Sequence, residues 1–246
     1  MSKTDNTVKR ADARPWLARK PGWGIAAMLV GAVMFTLIAL NVRSNGPLLA
    51  WDVPVAEALH RRATQDSDIL RKAAIFMSTW GRETAAIIVA VLAVYFLWRR
   101  RWRLLSLLVI GVLGGNTWFE VLSRLFARHR PVFPDPLDPL PGPGFPSGHS
   151  MTSMLLYSLI LYLVLPRLPR GLWRVLASAA TVALVLLIGF SRLYLGSHYL
   201  TDVFGGYSFG LFWGGLVYTS LEVFYARRAA RKGQAGPAHT AEPPRA

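Results

Sequence analysis

An all-α, polytopic membrane protein with six transmembrane helices is the fold class this sequence predicts, and three observations predict it. The 246-residue chain is 53% hydrophobic with a mean hydropathy of +0.34, too apolar for an ordinary soluble domain. Its apolar residues gather in six runs near the roughly 20 residues that an α-helix needs to cross a bilayer. Its 28 Lys and Arg residues fall in short stretches between those runs, as topology signals do. The net charge of +15 does not point to nucleic acid, because the basic residues form no long soluble stripe. The chain has no cysteine, which excludes disulfides, thiolate metal sites and cysteine nucleophiles.

Taken in order, a cytoplasmic basic arm over residues 1–21 precedes the first run, 22–42. That run continues without a small-residue cleavage site, so it reads as a retained signal anchor. Residues 43–82 are mixed in character. Around 53–59 and 69–80 they are apolar enough to lie on the membrane as interfacial helices, and a further span within 72–80 is too short by itself. The remaining spans are 83–97, 102–122, 149–165, 172–190 and 203–224. A six-helix domain thus covers 22–226, with a catalytic core over about 102–225 and a disordered, Ala-, Pro- and Gly-rich cytoplasmic tail over 227–246.

Charge sets the expected orientation. With the N-terminus inside, the inner segments carry 18 of the 28 Lys and Arg residues, so both ends are expected in the cytoplasm. Three polar segments then share the outer face: 124–131, 146–149 and 191–202. In a bacterium, this membrane is the cytoplasmic (inner) one, with the outer face toward the periplasm.

Those three segments carry the chemistry. His198 and Asp202 are four residues apart, so on a helix they share one face and the carboxylate can hold the imidazole. Arg192 lies just upstream. Ser147, Gly148 and His149 precede an apolar helix, and Arg130 stands before Pro131. Phosphoryl transfer needs cations on the equatorial oxygens, an in-line nucleophile and a proton for the leaving group. Arg130 and Arg192 are bidentate donors suited to phosphate. The backbone N–H groups of Ser147 and Gly148 can face an anion with the helix dipole behind them. With one ring N–H held by Asp202, the other nitrogen of His198 is free to attack. His149 then serves as general acid, and as base for water in a second step. No carboxylate cluster calls for a metal, and no cofactor is expected.

In this order, these motifs resemble the type 2 phosphatidic acid phosphatase family, whose signature has three parts. The second, Pro-Ser-Gly-His, is complete at Pro146, Ser147, Gly148 and His149. The third, Ser-Arg, five residues, His, three residues, Asp, is complete at Ser191, Arg192, His198 and Asp202. The first, a lysine, six residues, then Arg-Pro, matches at Arg130 and Pro131, but its lysine position falls on Ser123. The resemblance implies a phosphohistidine at His198, oriented by Asp202, with His149 protonating the leaving group. It also implies a membrane lipid phosphate as substrate: undecaprenyl diphosphate, phosphatidylglycerophosphate or phosphatidic acid.

Ser123 is the departure from the signature. Arg124 or Arg128 is expected to supply the cation, although Glu120 can pair with Arg124 at four-residue spacing, and Asn116 shares that face. His129, His60 and His239 have no supporting context. Gly206, Gly210 and Gly214, at four-residue intervals, read as close helix packing. The Pro-rich segment 132–145 is either a rim over the pocket or a passive connector. The expected activity is hydrolysis of a lipid phosphomonoester or diphosphate at the outer face. Two rivals are a lipid-to-lipid phosphotransferase using the same site and a non-enzymatic membrane protein with a decayed one.

Overall fold

The computed structural model describes residues 21–234. The basic arm (but for Pro21), residues 235–246 and with them His239 lie outside the described residues. Helix α1 (Pro21–Ser44) begins on a proline, whose missing N–H a first turn does not use. It ends where Asn45 takes a positive φ of 52°. A 3-10 turn, Pro47–Trp51, leads into α2 (Asp52–Gln65), whose buried residues Asp52, Ala56, His60 and Ala63 recur at helical spacing. Helices α3 (Asp68–Gly81) and α4 (Glu83–Trp98) are separated only by Arg82, whose φ of −135° and ψ of −71° break the helix.

The next rod consists of α5 (Trp102–Leu108), a π-helical stretch (Val109–Leu113) and α6 (Gly114–Phe126). The wider turn loosens backbone pairing, and the indole Nε1 of Trp213 donates to the carbonyls of Ile110 and Gly111 at 3.2 and 3.0 Å. Residues 127–147 are irregular. Helix α7 (Gly148–Val164), a 3-10 turn (Leu165–Arg167), α8 (Leu172–Tyr194) and α9 (Leu200–Gln234) complete the described chain. The described residues contain no strand.

Five helical segments among the described residues are long and apolar enough to cross a membrane: Pro21–Ser44, Asp68–Trp98, Trp102–Phe126, Gly148–Arg167 and Leu172–Tyr194. The count differs from the six expected. The expected sixth, 203–224, lies within α9, which is long enough but too rich in Gly, Tyr, Ser and Thr to be as apolar. Its first turns are buried almost throughout, so protein, not lipid, surrounds them and strong apolarity is not required. The stretch 69–80, expected to be interfacial, lies within α3, which is counted with α4 as one 31-residue apolar segment although Arg82 breaks the helix between them. At the other end, α9 runs to Gln234, so the first residues of the expected disordered tail are helical.

Helix α9 is the axis of the bundle, packed along α1 on one side and α7 on another. Glycines set these approaches. A Cβ on Gly206 would press on the Ser147 carbonyl and the Ser150 side chain, and one on Gly210 would stand 2.9 Å from Met154 Cβ. The four-residue glycine stripe is therefore a packing seam against α7, with Gly214 the least crowded member. Leu155, Leu156 and Leu159 of α7 are fully buried. Large apolar side chains on α1, α4 and α8, among them Leu29, Ile87, Val91, Val182 and Leu186, face outward, as a bilayer demands. Far along α9, Glu222 is fully buried and accepts from Arg103 Nε at 2.9 Å. That clamp is about 30 Å from the first turn of α9 at 1.5 Å per residue.

Candidate active site

The site forms where four pieces of chain end together: the start of 127–147, the first turn of α7, the α8–α9 connection and the α3–α4 break. The connection is sharp because Gly196 takes φ +71°. A Cβ there would lie 2.9 Å from the Phe133 ring and 3.2 Å from His60 Nδ1, so both backbone and space demand glycine. Asp202 in the first turn of α9 is fully buried, and its backbone carbonyl accepts from the Ser147 N–H at 2.9 Å. That bond ties the second motif to the third.

His198 is 1% exposed. Its Nδ1 is 3.6 Å from Asp202 Oδ2, beyond a hydrogen bond but close enough for the carboxylate to favour a proton there. Arg130 Nη1 is 2.8 Å from its Nε2 and 3.4 Å from its Nδ1. A guanidinium can only donate, and the shorter contact, with Asp202 on the Nδ1 side, makes Nε2 the acceptor that carries the lone pair. Burial pulls the His198 imidazole down to about 4; Asp202 opposes this, and the charges of Arg130 and Arg192 reinforce it. The ring is therefore neutral near pH 7. Arg130 is fixed by two further bonds, to the carbonyls of Gly142 at 3.1 Å and Ser197 at 2.9 Å.

Arg192 is fully buried at the end of α8. Its Nη1 donates to Ser78 Oγ of α3 and, at 2.7 Å, to Asp138 Oδ2 of the irregular segment. Its Nε and Nη2 have no protein partner among the described residues, which leaves two donors for an anion. Unmade hydrogen bonds of buried donors cost about 1–3 kcal/mol. An arriving phosphate would relieve that cost.

His149 follows the N-cap Ser147 and is 7% exposed. It packs on Gly81, where a Cβ would stand 3.1 Å from the His149 Cβ and Cδ2. The charges of Arg192, Arg82 and Arg130 and the imidazole of His198 all act on it, so both histidines share one electrostatic environment. Ser147 differs from expectation. Its N–H is committed to Asp202 and its Oγ accepts from Ser150, leaving it as a structural tie. Gly148, where an added Cβ would stand 3.0 Å from the Phe119 ring, keeps a first-turn N–H that the helix leaves unpaired.

The two candidates for the missing lysine also differ from expectation. Arg124 is 83% exposed and pairs with Glu120 at 3.8 Å, so it lies outside the site. Asn116 instead accepts from Thr152 at 2.8 Å. Arg128 is at the site, but its guanidinium is taken by protein: Nη1 donates to Asp202 Oδ1 and Thr201 Oγ1, and Nη2 to Asp52 Oδ2, all within 2.7 Å. Ser123 is buried on α6. Among the described residues, no three His, Asp or Glu side chains gather to hold a metal ion.

Three site residues carried no signal in the sequence. Asp52, 1% exposed at the start of α2, accepts from the Thr201 N–H at 2.9 Å as well as from Arg128. Asp138 pairs with Arg192, and its carbonyl accepts from Ser197 Oγ at 3.0 Å. His60 stacks on Phe133 with ring centres 3.8 Å apart and pairs with Asp135 at 3.0 Å. The segment 132–145 is thus fastened over the site as a rim.

Two buried imidazoles beside guanidinium donors, gathered at one end of an apolar helical bundle, are the groups that phosphoryl transfer calls for. Comparison with known proteins agrees. The profile of the PAP2 superfamily matches residues 103–225, and the chain belongs to that superfamily, as a membrane phosphoric ester hydrolase. Phosphatidylglycerophosphatase B of Bacillus subtilis (strain 168) is 35% identical over 176 residues, covering 64% of this chain and 84% of the relative. Lipid A 4'-phosphatase of Porphyromonas gingivalis is 31% identical over 141 residues, 55% of each chain. The crystal structure of a transmembrane PAP2 type phosphatidylglycerolphosphate phosphatase from Bacillus subtilis superposes with a TM-score of 0.62 at 25% identity, over 85% of this chain and 100% of that one. Aquifex aeolicus LpxE shares the fold with a TM-score of 0.53 at 18% identity, over 68% and 94% of the two chains.

Proposed function

We propose that this chain hydrolyses the terminal phosphate of a membrane glycerophospholipid, phosphatidylglycerophosphate first among candidates, through a phosphohistidine at His198. The observation that carries the reading is the Nε2 lone pair of His198, held 2.8 Å from Arg130, the guanidinium that would also bind the phosphoryl oxygens. Nε2 attacks phosphorus, and the P–O bond to the lipid oxygen breaks. A phosphate monoanion brings its own proton to the site; His149 takes that proton on binding and gives it to the leaving oxygen, releasing the lipid alcohol. His149 then takes a proton from water, whose oxygen attacks the phosphohistidine. The N–P bond breaks and inorganic phosphate leaves. Arg130 and the two open donors of Arg192 stabilise the equatorial oxygens in both steps. Asp202, held by Arg128 and by the Tyr199 N–H at 2.8 Å, keeps the proton of His198 on Nδ1. No metal takes part in these steps. The distribution of Lys and Arg supports a site on the extracytoplasmic side with both termini in the cytoplasm.

Phosphate release from purified protein in detergent tests the reading, with phosphatidylglycerophosphate, phosphatidic acid and undecaprenyl diphosphate offered separately. At least one of them should release phosphate without an added lipid acceptor, and His198→Ala should lower that rate on the order of 10³-fold or more. Turnover that requires a second lipid would instead make the chain a phosphotransferase. Full activity in His198→Ala would remove the phosphohistidine.

A further inference from the structure

The PAP2 signature begins with a lysine, and here that position is the buried Ser123. Neither nearby arginine replaces it: Arg124 is outside the site and Arg128 is saturated by Asp52, Thr201 and Asp202. A different element reaches the same place. Three residues at the end of α3 contact the elements that carry the site. Ser78 Oγ accepts from Arg192, the Trp80 carbonyl accepts from Tyr157 of α7 at 2.6 Å, and Gly81 abuts His149. Arg82 is next. It sits at the break between α3 and α4, outside helical geometry, and is exposed. Its side chain has no hydrogen-bond or ion-pair partner among the described residues. Its charge reaches Arg130, Arg192 and His149, in each case behind burial and nearer groups.

Three guanidinium groups within mutual electrostatic reach repel one another unless an anion joins them. Two of them, Arg130 and Arg192, are fixed by protein contacts. The third is unpaired, exposed and borne on the break between α3 and α4, where its φ of −135° and ψ of −71° are not helical. Building on the phosphatase reading, we infer that Arg82 is the missing cation of the phosphate clamp, supplied from the α3–α4 break to bind the substrate's phosphoryl oxygens in place of a lysine at Ser123. The family profile begins at residue 103, so this residue lies outside the region that defines the superfamily.

Two measurements on the full-length protein test the inference, with orthovanadate as the phosphate probe. In the first, vanadate inhibition and lipid phosphate hydrolysis are compared for wild type, Arg82→Gln and Arg82→Lys. Arg82→Gln should weaken vanadate inhibition and lower kcat/KM by about tenfold or more, as expected for loss of a charge-assisted contact. Arg82→Lys should stay within severalfold of wild type in both, which a purely structural arginine has no reason to do. In the second, wild-type protein is labelled with phenylglyoxal, and the peptide carrying Arg82 is quantified by mass spectrometry. Vanadate should protect Arg82 from labelling. Normal turnover and vanadate sensitivity in Arg82→Gln, or labelling of Arg82 indifferent to vanadate, would overturn the inference and leave the phosphatase reading standing. Absence of phosphate release and of vanadate sensitivity in wild type would overturn both.

Discussion

At the scale of single residues, the account turns on which nitrogen of His198 holds a proton. Asp202 attracts one to Nδ1, while Arg130 donates to Nε2 and so keeps it bare. Burial, with Arg130 and Arg192, lowers the proton affinity of the ring to about 4. The sign follows directly: below an ordinary histidine value of about 6.5 the unfolded chain binds a proton that the folded site refuses. His198 is therefore neutral and competent through the whole range above about pH 5, and its buried neutrality weakens folding only as pH falls from about 6.5 toward 4. Nitrogen-15 NMR of the histidine side chains should show one imidazole, identified by its absence in His198→Gln, that stays unprotonated down to pH 5. A midpoint near 6.5 for that ring would contradict the environment described. His149, His198 and Asp202 were legible in the sequence because each lies within a contiguous motif, 146–149 or 191–202. Asp52 and Arg82 were not, because only tertiary packing brings each near the site: Asp52 reaches Arg128 across 76 positions.

At the scale of elements, the irregular segment 127–147 does more than connect α6 to α7. Arg128, Arg130, Asp135 and Asp138 fasten it to α2, α8, α9 and the α8–α9 connection. Proline content revealed its rigidity, but its role as a rim depended on which partners its carboxylates found. Asp138 occupies Nη1 of Arg192, beside the two open donors that a phosphate would take, so its negative charge opposes an arriving anion. Asp138→Asn should strengthen vanadate inhibition and lower KM for a lipid phosphate by severalfold. A higher KM with weaker inhibition would show instead that Asp138 positions Arg192. The span boundaries were mostly legible from apolar runs. Helix α9 departed from them because a helix wrapped by α1 and α7 is built from glycine and hydroxyl side chains that hydropathy undervalues. The π-helical stretch in the third rod left no periodic trace, since its carbonyls are satisfied by Trp213, about a hundred residues away in sequence.

At the scale of the whole molecule, the bundle holds its reactive groups at one end while the Arg103–Glu222 pair locks α5 to α9 near the other. Outward-facing apolar side chains on α1, α4 and α8 place that reactive end where lipid headgroups would meet it. The central claim is that His149 and His198 act in turn on one phosphoryl group. Rapid acid-free quenching of the wild-type protein with lipid carrying a 32P-labelled terminal phosphate, sampled before the steady state, tests it most directly. The account predicts label that is stable to alkali, labile to acid and confined to the peptide bearing His198. Label on any other residue, or turnover in wild type with no labelled protein at any time point, would contradict it.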